Sequence, residues 1–393
     1  MAATRAKVNP KVLRWAREAA GFDVASAASK VQKDPATLSA WERGDEQPTV
    51  RQARLLARAY KRPLATFFLS AVPATPGMPR DFRRVSADRA KTYSPELRLA
   101  IRSALYRQQW LRERAAEFGN RRLAFVGSWK QPTRHMELAA KIRSALRVST
   151  FPSNLRKQEA FRRWADAIEM IDVSVMQGWS FDATEARGFA LPDAFAPVIF
   201  VNTRDTAGAR IFTLIHELVH IYLGASGVSD PIGTGEYPAG VKRIEVFCNR
   251  VAAEVLVPAQ AFDKLLRTVP PGERPNETAA KLARHFAVGE EVIARRLLDR
   301  RLISQADYES LRRIYIEAWK SRTRREPEQR GGLPAGRRTL ASVGTRFAGA
   351  VTRALGEGDV SPRDATLLLN MDLSKIGDLE QELRAARSRR RSA

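Results

Sequence analysis

The sequence predicts a multidomain, mainly α-helical chain: an all-α N-terminal unit, then an α+β core, then a helical C-terminal region. Three observations carry this. Short amphipathic segments with marked caps fill the first 70 residues, three runs rich in β-branched or aromatic residues fall between 172 and 201, and helical periodicity returns from Asn276 onward. A chain of 393 residues exceeds one ordinary core, so two or three domains are expected. The expected divisions are 1–70, a helical connector over 71–150, the α+β core over 151–318, a basic linker over 319–338, and a helical region with a basic tail over 339–393.

In the first block Asp23 can cap a helix running to Val31, and Asp34 followed by Pro35 places an N-cap before a proline at the first helical position. That second helix carries Leu38 and Trp41 and stops near Gly44, after which Pro48 and Thr49 open a longer helix towards Tyr60. The implied geometry is helix, tight turn, helix. Ala71 to Pro79 is a break, and Ser94 to Phe118 reads as a long, basic amphipathic helix.

After a helix from Arg156 to Met170 come strand-like runs at Asp172–Met176, Gly188–Leu191 and Pro197–Val201. Arg210 to Tyr222 is almost continuously apolar, with Gly224 placed to terminate it. Gly224 to Gly240 reads as a surface loop, and Val241 to Leu256 as a helix that stops before Pro258. Helical periodicity returns over Asn276 to Tyr315, and within it the segment Asn276 to Ile303, with a helix pair around Val288 to Arg301, reads as a second winged-helix-like element. Ser361 to Leu383 is a helical end piece, and Arg384 to Ala393 reads as disordered.

The net charge of +24 favours polyanionic partners, nucleic acid first, although arginine-rich composition alone accounts for much of such an excess in proteins from GC-rich genomes. A single cysteine, Cys248, excludes an internal disulfide framework. With no apolar leader at Met1 to Pro10 and no apolar run of spanning length, the expectation is a cytoplasmic chain without membrane contact.

Only four histidines occur, and His216 and His220 stand four apart with Glu217 directly after the first. On a helix these imidazoles share one face and can reach one Zn²⁺, while Glu217 is placed to act as general base towards the attacking water. The bland alternative is a pair of core histidines satisfied by hydrogen bonds. A third ligand is expected on the following helix. Glu245 and Asn249 share a face there, so Glu245 is favoured with Asn249 beside it as a hydrogen-bonding partner for a ligand. Glu254 lies roughly opposite Glu245 and is the competing ligand; Asp230, Glu236 and Cys248 stand behind both. Tyr222 and Tyr237 are available oxyanion donors.

The block Val12 to Phe68, with Trp41-Glu42-Arg43-Gly44 and Pro48-Thr49, resembles the XRE-type (Cro/cI-like) helix-turn-helix. The block Ile211 to His220, followed by Glu245 to Pro258, resembles the ImmA/IrrE family of metallo-endopeptidases over roughly 151–303. That resemblance implies a zincin-like, gluzincin-type site holding one Zn²⁺ per chain on His216, His220 and Glu245, with Glu217 as base. It also implies a protein substrate, a repressor of a stress response or mobile element. The helix-turn-helix departs from its family where a phosphate-holding glutamine is usual, here Val24. Thr37 and Ser39 are the only hydrogen-bonding side chains near the base-reading positions, whereas Lys33, Arg43 and Arg51, with Lys30 and Arg54, can grip phosphates. Three function classes follow: a zinc endopeptidase with a helix-turn-helix for DNA or substrate docking, a DNA-binding transcriptional regulator whose metal site is sensory or inactive, and a toxin-antitoxin or phage-associated interaction protein. The sequence does not give the oligomeric state.

Overall fold

A computed structural model describes residues 4–73, 93–119, 121–130, 133–148, 155–178, 180–225, 227–228, 239–324 and 334–391. The chain divides into two units, residues 1–103 and 104–393.

In the first unit, side-chain caps fix the helix starts. Asn9 accepts from the Lys11 N–H ahead of α1 (Pro10–Ala20), and Asp23 accepts from Ser26 N at 2.6 Å ahead of α2 (Val24–Lys30). Asp34 accepts from Thr37 N at 2.7 Å ahead of α3 (Pro35–Arg43), which ends at Gly44 with φ 91°. α4 (Val50–Ala59) begins with a reciprocal box between Thr49 and Gln52. The faces these helices share bury Leu13, Leu38, Trp41, Leu56, Tyr60 and Phe67. One ion pair belongs to that core: Arg17 grips both oxygens of Glu42 at 2.7 and 2.9 Å and donates to the Phe22 carbonyl. α5 (Pro95–Glu117) begins in this unit, where Arg102 donates to the Tyr60 and Lys61 carbonyls at the end of α4.

The second unit contains the rest of α5, then α6 (His135–Ala145) and α7 (Lys157–Met170). A small sheet follows, built from β1 (Ser174–Gly178), β2 (Gly188–Leu191) and β3 (Val198–Asn202) and joined by β4 (Gly227–Val228). The order is β1-β3-β2-β4, with β1 parallel to β3 and β2 antiparallel to both neighbours. Every residue of β2 and β3 is buried, because α8 (Ala207–Leu223) covers the sheet. α6 packs against α9 (Ala239–Leu256), which in turn lies along α8. Residues 135–145, read from sequence as part of a connector, therefore supply Leu138, Ala139 and Ile142 to the main core.

Beyond α10 (Ala259–Leu266), the helices α11 (Pro275–His285), α12 (Glu290–Asp299) and α13 (Gln305–Arg324) close the core. The expected winged element is instead a helix pair, α11 and α12, turning through Ala287 at φ 54°; no strand forms among the described residues of this stretch. Its second helix begins against α8: a Cβ on Gly208 would lie 3.0 Å from the Gly289 nitrogen. α13 runs into the stretch read as a linker because Trp319 is buried, with its indole N–H donating to Asp205 at 2.6 Å.

Of four further helices, α14 (Ala335–Val343) and α15 (Thr345–Glu357) lie against β1 at the sheet edge, and α16 (Pro362–Leu369) and α17 (Ile376–Arg391) pack on those two. Gln177 donates to the Ala341 carbonyl at 2.9 Å and Ser342 to the Gln177 carbonyl at 3.2 Å. The basic tail departs from expectation. It is helical to Arg391 because Leu379, Leu383 and Ala386 recur on one buried face and Arg390 pairs with Asp166 and Glu169. No helix among the described residues is long and apolar enough to cross a membrane.

Candidate metal centre

The site is built on α8. Thr206 caps its start and Gly224, at φ 67°, ends it, while every residue from Thr213 to Tyr222 is buried. The apolar residues around the motif thus drive the helix into the core and take His216, Glu217 and His220 with it. Polar groups placed there need partners. The chain before α6 braces the far end of this helix: Gly127 N and Trp129 N donate to the Ile221 and Tyr222 carbonyls, both at 3.0 Å.

α9 supplies those partners. The Nε2 atoms of His216 and His220 lie 3.1 Å apart, and the Glu245 carboxylate reaches both, Oε2 at 3.2 Å from His216 and Oε1 at 3.3 Å from His220. Three donor atoms at the corners of a tetrahedron with bonds of about 2.0 Å are separated by about 3.3 Å, so this set fits a zinc ion. Asn249, one turn beyond Glu245, has its Oδ1 2.9 Å from His216 Nδ1. Accepting from the Nδ1 proton leaves the lone pair of Nε2 directed into the cluster.

The electrostatics follow from this crowding. Burial alone would lower the pKa of His220, but the Cys248 sulfur and the Glu245 carboxylate beside it outweigh burial and hold it well above the ordinary imidazole value. For Glu245 burial acts upward, and hydrogen bonds from His216 and His220 overcome it and keep the carboxyl well below its usual range. Burial pushes the Cys248 thiol up. Free of metal, both shifts favour a protonated His220 beside an ionised Glu245.

Two residues offer themselves as a third donor, since the Cys248 sulfur and one ring nitrogen from each of His216 and His220 also lie within 4.8 Å of one another. We favour Glu245, whose oxygens already stand at the spacing a tetrahedron requires and whose carboxylate is held ionised. Glu254 is engaged elsewhere. It accepts from Ala259 N at 2.9 Å and pairs with Arg296, which also donates to the Val257 carbonyl. Asp230, Glu236 and Tyr237 lie outside the described residues. Tyr222 packs its ring on Phe125, centroids 5.0 Å apart, and burial raises its pKa to about 12.

Gly188 was not singled out from sequence. A Cβ there would fall 2.5 Å from the Phe200 carbonyl oxygen and 2.7 Å from Thr213, with the Glu217 side chain next in line at 3.6 Å. Only a glycine lets β2 lie this close to the face of α8 that carries Thr213 and Glu217. A glycine within a strand-like run was the available signal.

In the first unit, Lys33, Arg43 and Arg51 are exposed and Thr37 and Ser39 are half-buried. The Thr37 hydroxyl is occupied, donating to Asp34 at 3.1 Å, and Arg43 forms an exposed pair with Asp45 at 2.7 Å. The carboxylates of Asp23 and Asp34, held below their usual pKa range by hydrogen bonds from the backbone they cap, stand at the starts of α2 and α3.

Comparison with known families agrees with the sequence resemblance. Residues 168–298 match the peptidase family described as the IrrE N-terminal-like domain, and residues 13–67 match a helix-turn-helix. No curated protein matches the chain. The chain thus joins a helix-turn-helix to a metallopeptidase-type domain of the ImmA/IrrE kind.

Proposed function

We propose that this chain is a zinc-dependent endopeptidase that cuts a regulatory protein, a transcriptional repressor of a stress response or mobile element, with the helix-turn-helix serving DNA or substrate docking. The observation that carries the reading is the convergence of His216 Nε2, His220 Nε2 and the Glu245 carboxylate at 3.1 to 3.3 Å, beside a buried glutamate.

His216, His220 and Glu245 would hold one Zn²⁺. When bound, such an ion supplies Lewis acidity for a scissile carbonyl and lowers the pKa of water. The remaining work belongs to the chain. Asn249 fixes the ring of His216 through Nδ1. Glu217, buried one residue beyond His216, takes a proton from the attacking water and returns it to the leaving amine. Gly188 keeps the β2 backbone against that carboxylate.

The test is metal content together with cleavage. Wild-type protein should hold about one zinc per chain, His216→Ala should lose it, and Glu217→Ala should keep the zinc and the fold while losing cleavage of a repressor substrate by about a hundred- to ten-thousandfold. Wild-type cleavage by Glu217→Ala would remove the assigned base. A folded wild-type chain that takes up no zinc when supplied with it would favour the DNA-binding regulator instead.

A further inference from the structure

Cys248 is the only cysteine of the chain, and no part of the proposed reaction uses it. Its side chain is wholly buried on α9, three residues after Glu245 and so on the same face of the helix. A packing role alone does not account for its neighbours. The sulfur and one ring nitrogen each of His216 and His220 lie within 4.8 Å of one another, and among the described residues this is the group of buried donors able to hold a metal. Thiolate sulfur is a good zinc donor, bonding at about 2.3 Å.

We infer that Cys248 is an additional ligand of the metal, one that closes the site by joining His216, His220 and Glu245 around a single ion. The inference rests on the metallopeptidase reading above and adds its restraint. Three protein donors leave one position open for chemistry, and a fourth fills it, as in structural zinc sites. Charge favours the closed set: carboxylate and thiolate together neutralise a divalent ion in a buried place, where the carboxylate alone leaves one positive charge. On closing, the sulfur forms a bond to the metal and the thiol proton passes to solvent. On opening, that bond would break, the released thiolate would take a proton back from solvent, and the position would become free for substrate. The result is a resting form of the enzyme that needs no second protein to hold it inactive.

Cobalt(II) substitution of the full chain tests this without reliance on activity. With one cobalt bound per chain, the wild type should show the near-ultraviolet thiolate-to-cobalt charge-transfer absorption, and Cys248→Ala should bind cobalt without it. Because there is one cysteine, the band has one source. Cobalt bound to the wild type with no such band would overturn the role of Cys248 and leave the three-ligand site standing. A folded wild type that binds no cobalt at all would overturn both.

Discussion

At the residue scale, the site is a competition between protons and metal for the same ring nitrogens. The sign follows from the two shifts. His220 sits above its ordinary value, so the stability it lends the metal-free fold is fully present below the unfolded pKa near 6.5 and is lost as pH rises through the folded one. Glu245 sits below its own, so its contribution is present above the unfolded value near 4.5 and is lost as pH falls through the folded one. The metal-free pair is therefore strongest between these limits, and a zinc ion must displace the imidazolium proton to enter. Zinc affinity should fall as pH drops below the His220 value, with close to two protons released per ion bound at neutral pH, one from the His220 imidazolium and one from the Cys248 thiol. Titration calorimetry in buffers of different ionisation enthalpy measures that number; Cys248→Ala should release close to one, and release near zero from that variant would mean that His220 is already neutral. His216, Glu217 and His220 were legible in the sequence because four residues on a helix is one turn, and Glu245 because Asn249 shares its face. Cys248 stands behind Glu245 on sequence alone, since periodicity marks it as core and says nothing of which imidazole it meets. Gly188 escaped because its constraint comes from the Phe200 carbonyl and Thr213, on elements that meet only in the fold.

At the element scale, the helix starts were the easiest features to read, because a cap is local chemistry. Asp23, Asp34 and Thr49 each accept from the backbone N–H three residues ahead, and the helices begin where those side chains require. The C-terminal helix shows the opposite limit. Residues 384–391 carry several arginines, and composition argues for solvated disorder, yet α17 stays helical because partners distant in sequence claim it. Arg390 reaches Asp166 at 2.6 and 2.8 Å and Glu169 at 2.6 Å, and the Glu169 side chain is only 3% exposed. Burial raises the pKa of Glu169 even with Arg390 beside it, so that carboxylate depends on its partner. Removing one member of a buried pair strands the other in a place where charge is poorly solvated, at about 3 kcal/mol. Arg390→Ala should lower the melting temperature of the chain by several degrees, whereas Arg389→Ala, exposed one residue earlier, should leave it unchanged. A melt of Arg390→Ala indistinguishable from wild type would return the tail to the solvated state its composition implies. The same end piece has a place in the fold: α14 and α15 lie against the β1 edge of the sheet, and α17 packs on both of them.

At the scale of the whole molecule, a net charge of +24 and a helix-turn-helix point to a polyanion, while the chemistry of the first unit limits how that polyanion is read. The starts of both motif helices are occupied by ionised aspartates serving as caps, and the Thr37 hydroxyl donates to one of them. A phosphate approaching the start of α2 or α3 meets negative charge where helix dipoles would otherwise attract it. Exposed cations remain: Lys33, Arg43 and Arg51, the second in a surface pair with Asp45 that is worth little and is easily exchanged for a phosphate. Binding through such groups is dominated by counterion release and has little sequence preference. The expectation is an affinity for duplex DNA that falls steeply with salt and varies little between unrelated duplexes. Replacing Lys33, Arg43 and Arg51 together by alanine should reduce the slope of log affinity against log salt by about 3, near one unit per phosphate contact removed. The same triple variant should keep its full zinc content, because all three residues belong to the first unit and the metal cluster to the second, and Glu217→Ala should keep its DNA binding for the same reason. Filter binding over a salt series decides the matter: an unchanged slope would mean that these side chains do not meet phosphate, and the helix-turn-helix would then be a surface for docking protein.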